Sequence, residues 1–316
     1  MVSIKKKQIG NKTYLYAEYS FRLPNGDIKK LSKLIKSQED KNKREIKDYF
    51  LRKEAETNKK FVLSNYKKDY VFTESEIAKI EEAKVGYREI IKKLTKKQVK
   101  DILDRFTVNF TYESNALEGN SLTLKDVTII LEENIVLKNK DLREVYETKN
   151  TREVTDLLFN NKIKITKEDI VKVHSILVKD TGVTPGFKKL PNYLFMRNLE
   201  TTPPEKVEEE IAKLIEWYAV NKNKIYPLQL ASEFHARFER IHPFEDGNGR
   251  TGRVLLNAIL LEAGYSPIII RKTTRLAYFA ALEAFDSGYK PKLERFLIEK
   301  IKHTFKDFFQ VYIKYL

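Results

Sequence analysis

The sequence predicts a mainly α-helical protein with a small β-hairpin segment at its N-terminus. Apolar and polar residues alternate on both sides of residues 24–27 (PNGD), a pattern typical of two strands joined by a tight turn. From about residue 38 the apolar residues recur at helical spacing instead. Glycine and proline interrupt the helical pattern over residues 180–201, where we expect a loop and a short hairpin.

Helix-start signals and apolar faces locate the individual helices. Thr73 with Glu76, and Thr95 with Gln98, have the spacing of capping boxes, which satisfy backbone N–H groups where a helix begins. Residues 253–264 (RVLLNAILLEAG) are apolar all round and predict a helix buried on every side. Further helices are expected at about residues 123–134, 140–160, 166–179, 203–220, 227–240, 274–287 and 291–314.

Composition narrows the class of protein. The chain has 316 residues, 41% of them hydrophobic, which indicates a globular protein with a substantial core. It has no cysteine, which excludes disulfides and thiolate metal sites. No stretch approaches the about 18 uninterrupted apolar residues of a membrane span, and no apolar signal core follows the N-terminal charges. We therefore expect a cytoplasmic protein without a membrane partner.

The positive charge is concentrated near the N-terminus. The formal net charge is +15, and residues 1–70 hold 19 Lys and Arg against 9 Asp and Glu. Such a segment suits a nucleic acid or an acidic partner. Ordinary pairing of exposed charges along a helix explains the same composition, so both interpretations stay open.

The stretch RIHPFEDGNGRTGR, residues 240–253, is too polar and too highly charged for a core. Pro243 disfavours helical geometry at the residue before it, so a helix should end near Arg240 and leave His242 at its C-terminus. The negative end of a helix dipole stabilises an imidazolium ion, which makes His242 a stronger base. The first half of this stretch therefore predicts a histidine that accepts a proton.

The second half of the stretch suits an anion. Gly247 and Gly249 allow backbone conformations that turn successive N–H groups inward, and the following helix directs its positive dipole end at the same place. Arg250 and Arg253 share one face of that helix. Asp246 is a hard oxygen ligand beside this anion site, which indicates Mg²⁺. Together these residues predict a site for a nucleotide triphosphate, a magnesium ion and a histidine base.

These residues resemble a family signature. HPFEDGNGRTGR is similar to the Fic motif H-P-F-x-[D/E]-G-N-G-R-x-x-R, and all nine specified positions match. The resemblance covers about residues 100–290 and implies the Fic fold, a helical bundle with a short β-hairpin flap. On this basis residues 71–290 form the Fic domain, including an inhibitory helix. Residues 1–70 form a basic hairpin-and-helix segment, and residues 291–316 form a C-terminal helix that packs on the core.

The resemblance also implies an activity, because most Fic proteins transfer AMP from ATP to a hydroxyl of a target protein. By similarity, His242 takes the proton of a Ser, Thr or Tyr hydroxyl, whose oxygen attacks the α-phosphorus while pyrophosphate leaves. Asp246 holds the Mg²⁺ that bridges phosphates, Arg253 holds the γ-phosphate, and Phe244 anchors the loop in the core. The nucleotide-binding residues implied are Gly247, Asn248, Gly249, Arg250 and Arg253.

A second signal lies upstream, in SNALEGN at residues 114–120. Ser114 and Glu118 share a helical face, and Gly119 is placed to end that helix. A carboxylate at a helix C-terminus faces the negative dipole end, so Glu118 should have a cationic partner. The stretch is similar to the Fic inhibitory motif [S/T]-x-x-x-E-[G/N], whose glutamate pairs with the second motif arginine, here Arg253. The resemblance therefore implies an autoinhibited enzyme.

The resemblance further implies partners and leaves alternatives open. Residues 187–200 correspond to the family's flap, to which a target segment can add as an extra strand. The target is another protein or the chain itself, and the family often forms dimers. One alternative activity is the reverse reaction, in which Glu118 positions a water and AMP is removed. Another is a nucleic-acid-binding regulator whose Fic core senses a nucleotide, although the sequence contains no zinc motif, RNA-binding aromatic signature or clear helix-turn-helix.

Overall fold

The N-terminal region is a three-stranded antiparallel sheet followed by a long helix. In the computed structural model, which describes residues 2–35, 43–133, 138–194 and 199–315, the sheet order is β1-β2-β3. Its strands are β1 (Ser3–Ile9), β2 (Lys12–Arg22) and β3 (Ile28–Ile35), and helix α1 (Lys43–Asn65) follows. Ala17, Tyr19 and Phe21 on one face of β2 pack with Ile46 and Phe50 of α1 in a small core of their own.

The predicted two-stranded hairpin corresponds to β2 and β3, and the prediction was wrong in omitting β1. Every residue of β1 is exposed and three of them are consecutive lysines, so the strand lacks the alternation that marks a half-buried strand. Backbone pairing with β2 defines it instead, in a register that places Lys5 opposite Tyr16. A third strand also removes the marginal stability expected of an isolated hairpin.

The rest of the described chain is helical apart from one hairpin. Strands β4 (Tyr193–Leu194) and β5 (Leu199–Glu200) pair between two helices. The helices are α2 (Glu74–Lys93), α3 (Lys96–Leu117), α4 (Leu124–Glu132), α5 (Leu142–Phe159), α6 (Lys167–Leu177), α7 (Pro204–Asn221), α8 (Pro227–Ile241), α9 (Asn248–Glu262), α10 (Arg275–Asp286) and α11 (Pro291–Thr304). The predicted mainly helical fold class is therefore confirmed.

The helix starts agree with the capping signals. Thr73 accepts a hydrogen bond from the backbone N–H of Glu76 at the start of α2. Thr95 and Gln98 form the full reciprocal capping box at the start of α3. Because these side chains satisfy N–H groups that no helical carbonyl can reach, they determine where both helices begin.

Helices α8 and α9 form the centre of the main core. Phe234 and Phe238 of α8 are fully buried, and the α9 side chains from Val254 to Leu260 are buried on all sides, as predicted. Leu293 and Leu297 of α11 pack into the same core. Among the described residues, no helix is long and apolar enough to cross a membrane.

The chain's last helical stretch differs from the single helix predicted over residues 291–314. Helix α11 ends at Thr304, and a π-turn (Phe305–Phe309) and a 3₁₀-helix (Gln310–Tyr315) continue it. A π-turn inserts one residue per turn and so changes which side chains face inward. Here it accompanies full burial of Phe309, whose ring centroid lies 4.9 Å from that of Tyr87.

Candidate active site

The loop between α8 and α9 begins with an unusual backbone conformation at His242. Its φ and ψ are 50° and 63°, in the left-handed region, and its N–H donates to the carbonyl of Phe238 at 3.0 Å. Among the described non-glycine residues with positive φ, the others are asparagine or aspartate. Such a conformation costs a β-carbon residue about 1 kcal/mol or more, so the surrounding structure has to hold it. His242 is partly buried at the C-terminus of α8.

Phe244 anchors this loop. Its ring is fully buried and stacks on the His174 ring, with 3.7 Å between centroids and 6° between planes. The buried amide of Asn248 accepts from the N–H of Phe244 and donates to its carbonyl, both at 2.9 Å. These contacts hold the apolar side of the loop against the core.

His174 on α6 contacts the buried side of the loop, and its imidazole is neutral. Its Nε2 lies 3.0 Å from the carbonyl oxygen of Asp246, and its Nδ1 accepts from the N–H of Gly186. Burial lowers its pKa to about 4, against the raising effect of the Asp246 carbonyl contact. The neutral tautomer that donates from Nε2 satisfies both contacts.

The start of α9 has the geometry of an anion-binding helix N-terminus. Gly247, with φ 78°, is the N-cap residue and provides no side-chain cap. A β-carbon there would make a tight contact of 3.1 Å with Val178 and would carry the strain of positive φ, so the position favours glycine. The first N–H groups of α9 and its positive dipole end therefore face the loop.

Arg250 is a fully buried guanidinium among carboxylates. Its NH1 lies 3.2 Å from Glu147 Oε1, and its NH2 lies 3.6 Å from Asp246 Oδ1. Glu147 also accepts from Asn120 Nδ2 at 3.0 Å. A buried charge is costly without a counter-charge, and Glu147 on α5 supplies one beside the anion loop.

Asp246 is the candidate metal ligand, and its carboxylate pairs with the guanidinium of Arg143. Its side chain is 40% exposed, and its Oδ2 accepts a hydrogen bond from Arg143 NH2. Within the described ranges no cluster of three or more His, Asp or Glu side chains could hold a metal ion. A single carboxylate still fits Mg²⁺, which commonly binds one or two carboxylates together with phosphate oxygens and waters.

Arg253 is the second buried arginine of α9, and α3 holds it. Its Nε donates to Ser114 Oγ at 3.0 Å, and its NH2 donates to Ser114 O at 2.8 Å and to Glu118 Oε1 at 2.7 Å. Burial by itself lowers the pKa of Arg253, but the negative charge of Glu118 outweighs this and raises it. The expected cationic partner of Glu118 is therefore present, 135 residues away in the chain.

Glu118 reaches this position because α3 ends there. Glu118 is the C-cap residue of α3, and Gly119 follows with φ 101°. The carboxylate of Glu118 lies against Gly249 so closely that a β-carbon on Gly249 would overlap its Oε1. The end of α3 therefore occupies the surface of the anion-binding turn.

The hairpin β4-β5 begins beside the loop. Phe187 bridges to Phe244, and the N–H of Lys188 donates to the carbonyl of Pro243 at 2.9 Å. Buried Lys188 ties both sides of the hairpin base together, with Nζ 2.7 Å from Asn192 Oδ1 and 2.6 Å from Thr201 Oγ1. Burial lowers the pKa of Lys188 to about 8. The tip of the predicted flap, residues 195–198, lies outside the described residues.

The structure brings every predicted site residue together and adds three that the sequence analysis missed. His242, residues 246–250 and Arg253 share one loop and helix start, and residues 114–119 lie against it. The added residues are Arg143, Glu147 and His174. Arg143 and Glu147 have a four-residue helical spacing that indicates an ion pair, but the spacing does not reveal their partners across the fold.

Comparison with known sequences agrees with this geometry. The Fic/DOC family model matches residues 164–260. A protein adenylyltransferase Fic of Nematostella vectensis is 30% identical over 198 residues, which cover 61% of this chain and 46% of that protein. The protein adenylyltransferase fic-1 of Caenorhabditis elegans is 29% identical over 185 residues, 57% of this chain and 36% of that protein. The matched part is thus less than half the length of these relatives.

Comparison with solved structures shows the same fold. A Fic-domain-containing signalling protein of Bacteroides thetaiotaomicron superposes with a TM-score of 0.66 at 24% identity, over 72% of this chain and 94% of that one. Fic-1 of C. elegans superposes with a TM-score of 0.64 at 22% identity, over 77% and 74%. From the motif, the family match over residues 164–260 and the shared fold, we conclude that this chain contains a region similar to the Fic/DOC family and has the fold of solved Fic proteins.

Proposed function

We propose that this chain is a protein adenylyltransferase that transfers AMP from ATP to a Ser, Thr or Tyr hydroxyl of a target protein, and that Glu118 inhibits it. One observation carries the proposal: Arg253 lies buried at the start of α9 beside the anion-binding turn, and Glu118 occupies its guanidinium at 2.7 Å. An internal carboxylate on such an arginine occupies a place that suits a phosphate oxygen. The adenylyltransferase names of the relatives support the same reaction.

In the proposed reaction His242 is the general base. It takes the proton of the acceptor hydroxyl, the hydroxyl oxygen forms a bond to the α-phosphorus, and the bond to the pyrophosphate oxygen breaks. The products are the AMP-modified side chain and pyrophosphate. His242 suits this role because it lies partly buried at the negative end of α8, which favours the protonated imidazole formed in the reaction.

The remaining residues position and neutralise the triphosphate. The N–H groups at Asn248 and Gly249 and the guanidinium of Arg250 bind phosphate oxygens, and Arg253 binds the γ-phosphate. Asp246 would hold Mg²⁺, which supplies charge neutralisation on the phosphates when it is bound. Positioning and charge neutralisation of this kind account for most of the catalysis in phosphoryl transfer.

Inhibition follows from competition for Arg253. Glu118 and a γ-phosphate both require the same NH2 group, so the phosphate binds productively only when Glu118 moves away. The Glu118 side chain is 34% exposed and lies at a helix end, so it can leave without unfolding the core. We therefore expect low activity in the wild-type chain.

The hairpin β4-β5 is proposed as the docking edge for the target. The hairpin is short, and Lys188, just before it, donates to the carbonyl of Pro243 in the loop that carries His242. Backbone pairing with an added strand requires little sequence selectivity. We further propose that residues 71–290 form the catalytic domain, flanked by the basic segment 1–70 and the C-terminal segment 291–316.

The test follows α-labelled ATP into protein in a cell lysate with Mg²⁺. It compares the wild type, Glu118→Gly, and Glu118→Gly combined with His242→Ala or with His303→Ala. His303 is exposed on α11, so it controls for the loss of a histidine elsewhere. We expect strong labelling with Glu118→Gly and with the His303 control, and none with the His242 double variant.

Other results separate the alternatives. If Glu118→Gly leaves labelling unchanged while His242→Ala abolishes it, transfer is correct and inhibition by Glu118 is wrong. If no sample is labelled, the transferase proposal fails for ATP. Release of AMP from a modified protein by the wild type then identifies the reverse reaction, in which Glu118 is proposed to orient a water.

A further inference from the structure

A second cavity lies at the opposite end of α9 from the anion-binding turn. It has a volume of about 440 Å³ and lies between the sheet-and-α1 unit and the C-terminal ends of α7 and α9. Its lining residues come from α1, α2, the β2-β3 turn and the start of α8 as well. This volume falls in the range of small-molecule binding sites.

The floor of this cavity contains an ammonium group that forms no ion pair with any described residue. Lys84 on α2 is half-buried, and its Nζ lies 4.2 Å from the centroid of the Tyr265 ring. Among the described residues its Nζ has no hydrogen bond or ion pair. Burial lowers the pKa of Lys84, against the raising effect of Glu81. A ring face compensates an ammonium only partly, so the position is unfavourable for a structural lysine.

Two further polar groups on the cavity wall have no hydrogen-bond partner among the residues that the structure describes. The side chain of Asn58 is 5% exposed, and its Oδ1 finds no hydrogen-bond donor in the described part of the chain. The NH2 group of Arg88 donates to Glu54 at 2.7 Å, while its Nε is buried and finds no acceptor within the described ranges. Buried polar atoms are nearly always paired in folded proteins, so this grouping is informative.

Two of the other cationic side chains on the cavity wall already pair with a carboxylate. Lys222 pairs with Glu262 at 2.8 Å, and Arg88 pairs with Glu54. Arg22 adds a further positive charge at the wall, where its NH1 donates to the carbonyl of Gly26. The unbalanced charge is therefore positive, and an occupant with negative charge is favoured.

We infer that this cavity binds a small oxyanion metabolite whose phosphate or carboxylate oxygens pair with Lys84 and whose hydroxyl or amino group donates to Asn58. The oxyanion supplies the counter-charge that Lys84 lacks. A donor group on the same molecule satisfies the buried Oδ1, which no anion oxygen could do. Tyr66, Tyr218 and Tyr265 enclose the remaining space with aromatic carbon.

Site-resolved acetylation of the full chain near pH 8 tests this inference. The acetylation rate of Lys84 is followed by mass spectrometry with inorganic phosphate, glycerol 3-phosphate or malate, and with sodium chloride at equal ionic strength. Exposed Lys97 in the same sample is the control. A bound anion that raises the pKa of Lys84 by one unit lowers its neutral fraction, and hence its rate, about tenfold. Lys97 should react at one rate throughout.

The probes show whether the ligand binds through a phosphate or a carboxylate, and they distinguish binding in this cavity from binding in the active site. Protection by glycerol 3-phosphate alone identifies a phosphate ligand, and protection by malate alone a carboxylate ligand. An anion bound at the start of α9 leaves the rate of Lys84 unchanged. In the variant Asn58→Leu the protection should fall severalfold, since the buried acceptor is lost. Equal rates for Lys84 with all probes and with chloride would overturn the inference.

A thermal-shift measurement gives an independent result. Phosphate binding in the active site raises the melting temperature equally in Lys84→Met and in the matched variant Lys97→Met. The second cavity adds a further rise in Lys97→Met only. Equal shifts in the two variants with every probe would also contradict the inference.

Discussion

The two ends of α9 treat buried positive charge in different ways. At the N-terminal end, Arg250 and Arg253 each contact a carboxylate, from Glu147 and Glu118 respectively. At the C-terminal end, Lys84 lies over the face of Tyr265 and forms no ion pair with a carboxylate of the described residues. A paired guanidinium is stable without ligand but has to exchange its partner to bind one, whereas an unpaired ammonium gains its partner on binding. The comparison separates the site that we propose to be inhibited from the cavity that we infer to bind an anion.

The largest expected effect concerns His242 at the first of these ends. In the Glu118→Gly background, His242→Ala should lower the rate of AMP transfer by about 10²–10⁴-fold, the usual contribution of a general base. Single-turnover kinetics at saturating Mg·ATP would measure it. The His303→Ala control should keep the full rate, and a loss below tenfold would remove His242 from the role of base.

Glu294, a buried carboxyl away from both ends of α9, tests the same difference between paired and unpaired groups. Glu294 is fully buried, its two oxygens lack partners among the described residues, and burial raises its pKa to about 8, helped by Asp69 and Glu233. Above pH 4.5, the ordinary pKa of this carboxyl, the unfolded chain releases the Glu294 proton, whereas the folded chain keeps it until about pH 8. Within that window the free energy of unfolding should fall with rising pH, by up to about 1.4 kcal/mol per unit.

Urea unfolding of Glu294→Gln at several pH values measures this effect. The variant should lack this part of the slope and become more stable than the wild type, by a margin that grows from pH 4.5 to 8. Glu283→Gln, at an exposed position on α10, is the control and should follow the wild type. Parallel pH profiles for Glu294→Gln and the wild type would show that Glu294 is ionised in the fold.

An intermediate effect is expected from Gly249→Ala, because the added methyl group would fill the space beside Gly249 that the Glu118 carboxylate occupies. A β-carbon in Gly249→Ala would overlap Glu118 Oε1 and lie 2.9 Å from Arg253 NH1. We expect a loss of about 1–3 kcal/mol in the free energy of unfolding, the usual cost of overpacking. In combination with Glu118→Gly most of this loss should disappear, and a double-mutant cycle by urea unfolding measures that coupling. Additive effects would place Glu118 away from Gly249 in solution.

The smallest expected effect is that of Arg143, which is half-exposed. Arg143→Gln should cost about 0.2–1 kcal/mol of stability, as exposed ion pairs do. It should also tighten Mn²⁺ binding in the presence of a non-hydrolysable ATP analogue by up to about fivefold, because the guanidinium no longer competes for Asp246. Electron paramagnetic resonance of free Mn²⁺ measures the affinity. Arg152→Gln on the same helix is the control, and weaker binding in Arg143→Gln would assign the arginine to the phosphates instead.

Several features of the site could be read from the sequence because they depend on local chemistry. Pro243 and the glycines at 247 and 249 determine a turn through their own backbone preferences. Helix starts at Thr73 and Thr95 depend on side chains three residues away. The partner of Glu118 was expected from a family motif rather than from spacing, since 135 residues separate it from Arg253.

Other features had no local signal. Strand β1 is stabilised by pairing with β2, and its own lysine-rich sequence does not indicate a strand. His174 reads as one position of an ordinary helix, and only the fold places its ring under Phe244. The π-turn at Phe305–Phe309 reflects contacts with residues of other helices, such as Tyr87, that helical periodicity does not encode.

By itself the sequence determined the mainly helical class, the loop between α8 and α9 and the kinds of residue that this loop contains, because periodicity, capping and turn geometry act over a few neighbouring positions. Tertiary structure alone decided which charges meet: Glu147 pairs with Arg250 and Arg143 with Asp246, whereas Lys84 pairs with no carboxylate in the described part of the chain. It also decided that a cavity remains at the far end of α9. Such contacts depend on how helices pack across long separations in the chain, and packing of this kind has no fixed spacing in a sequence.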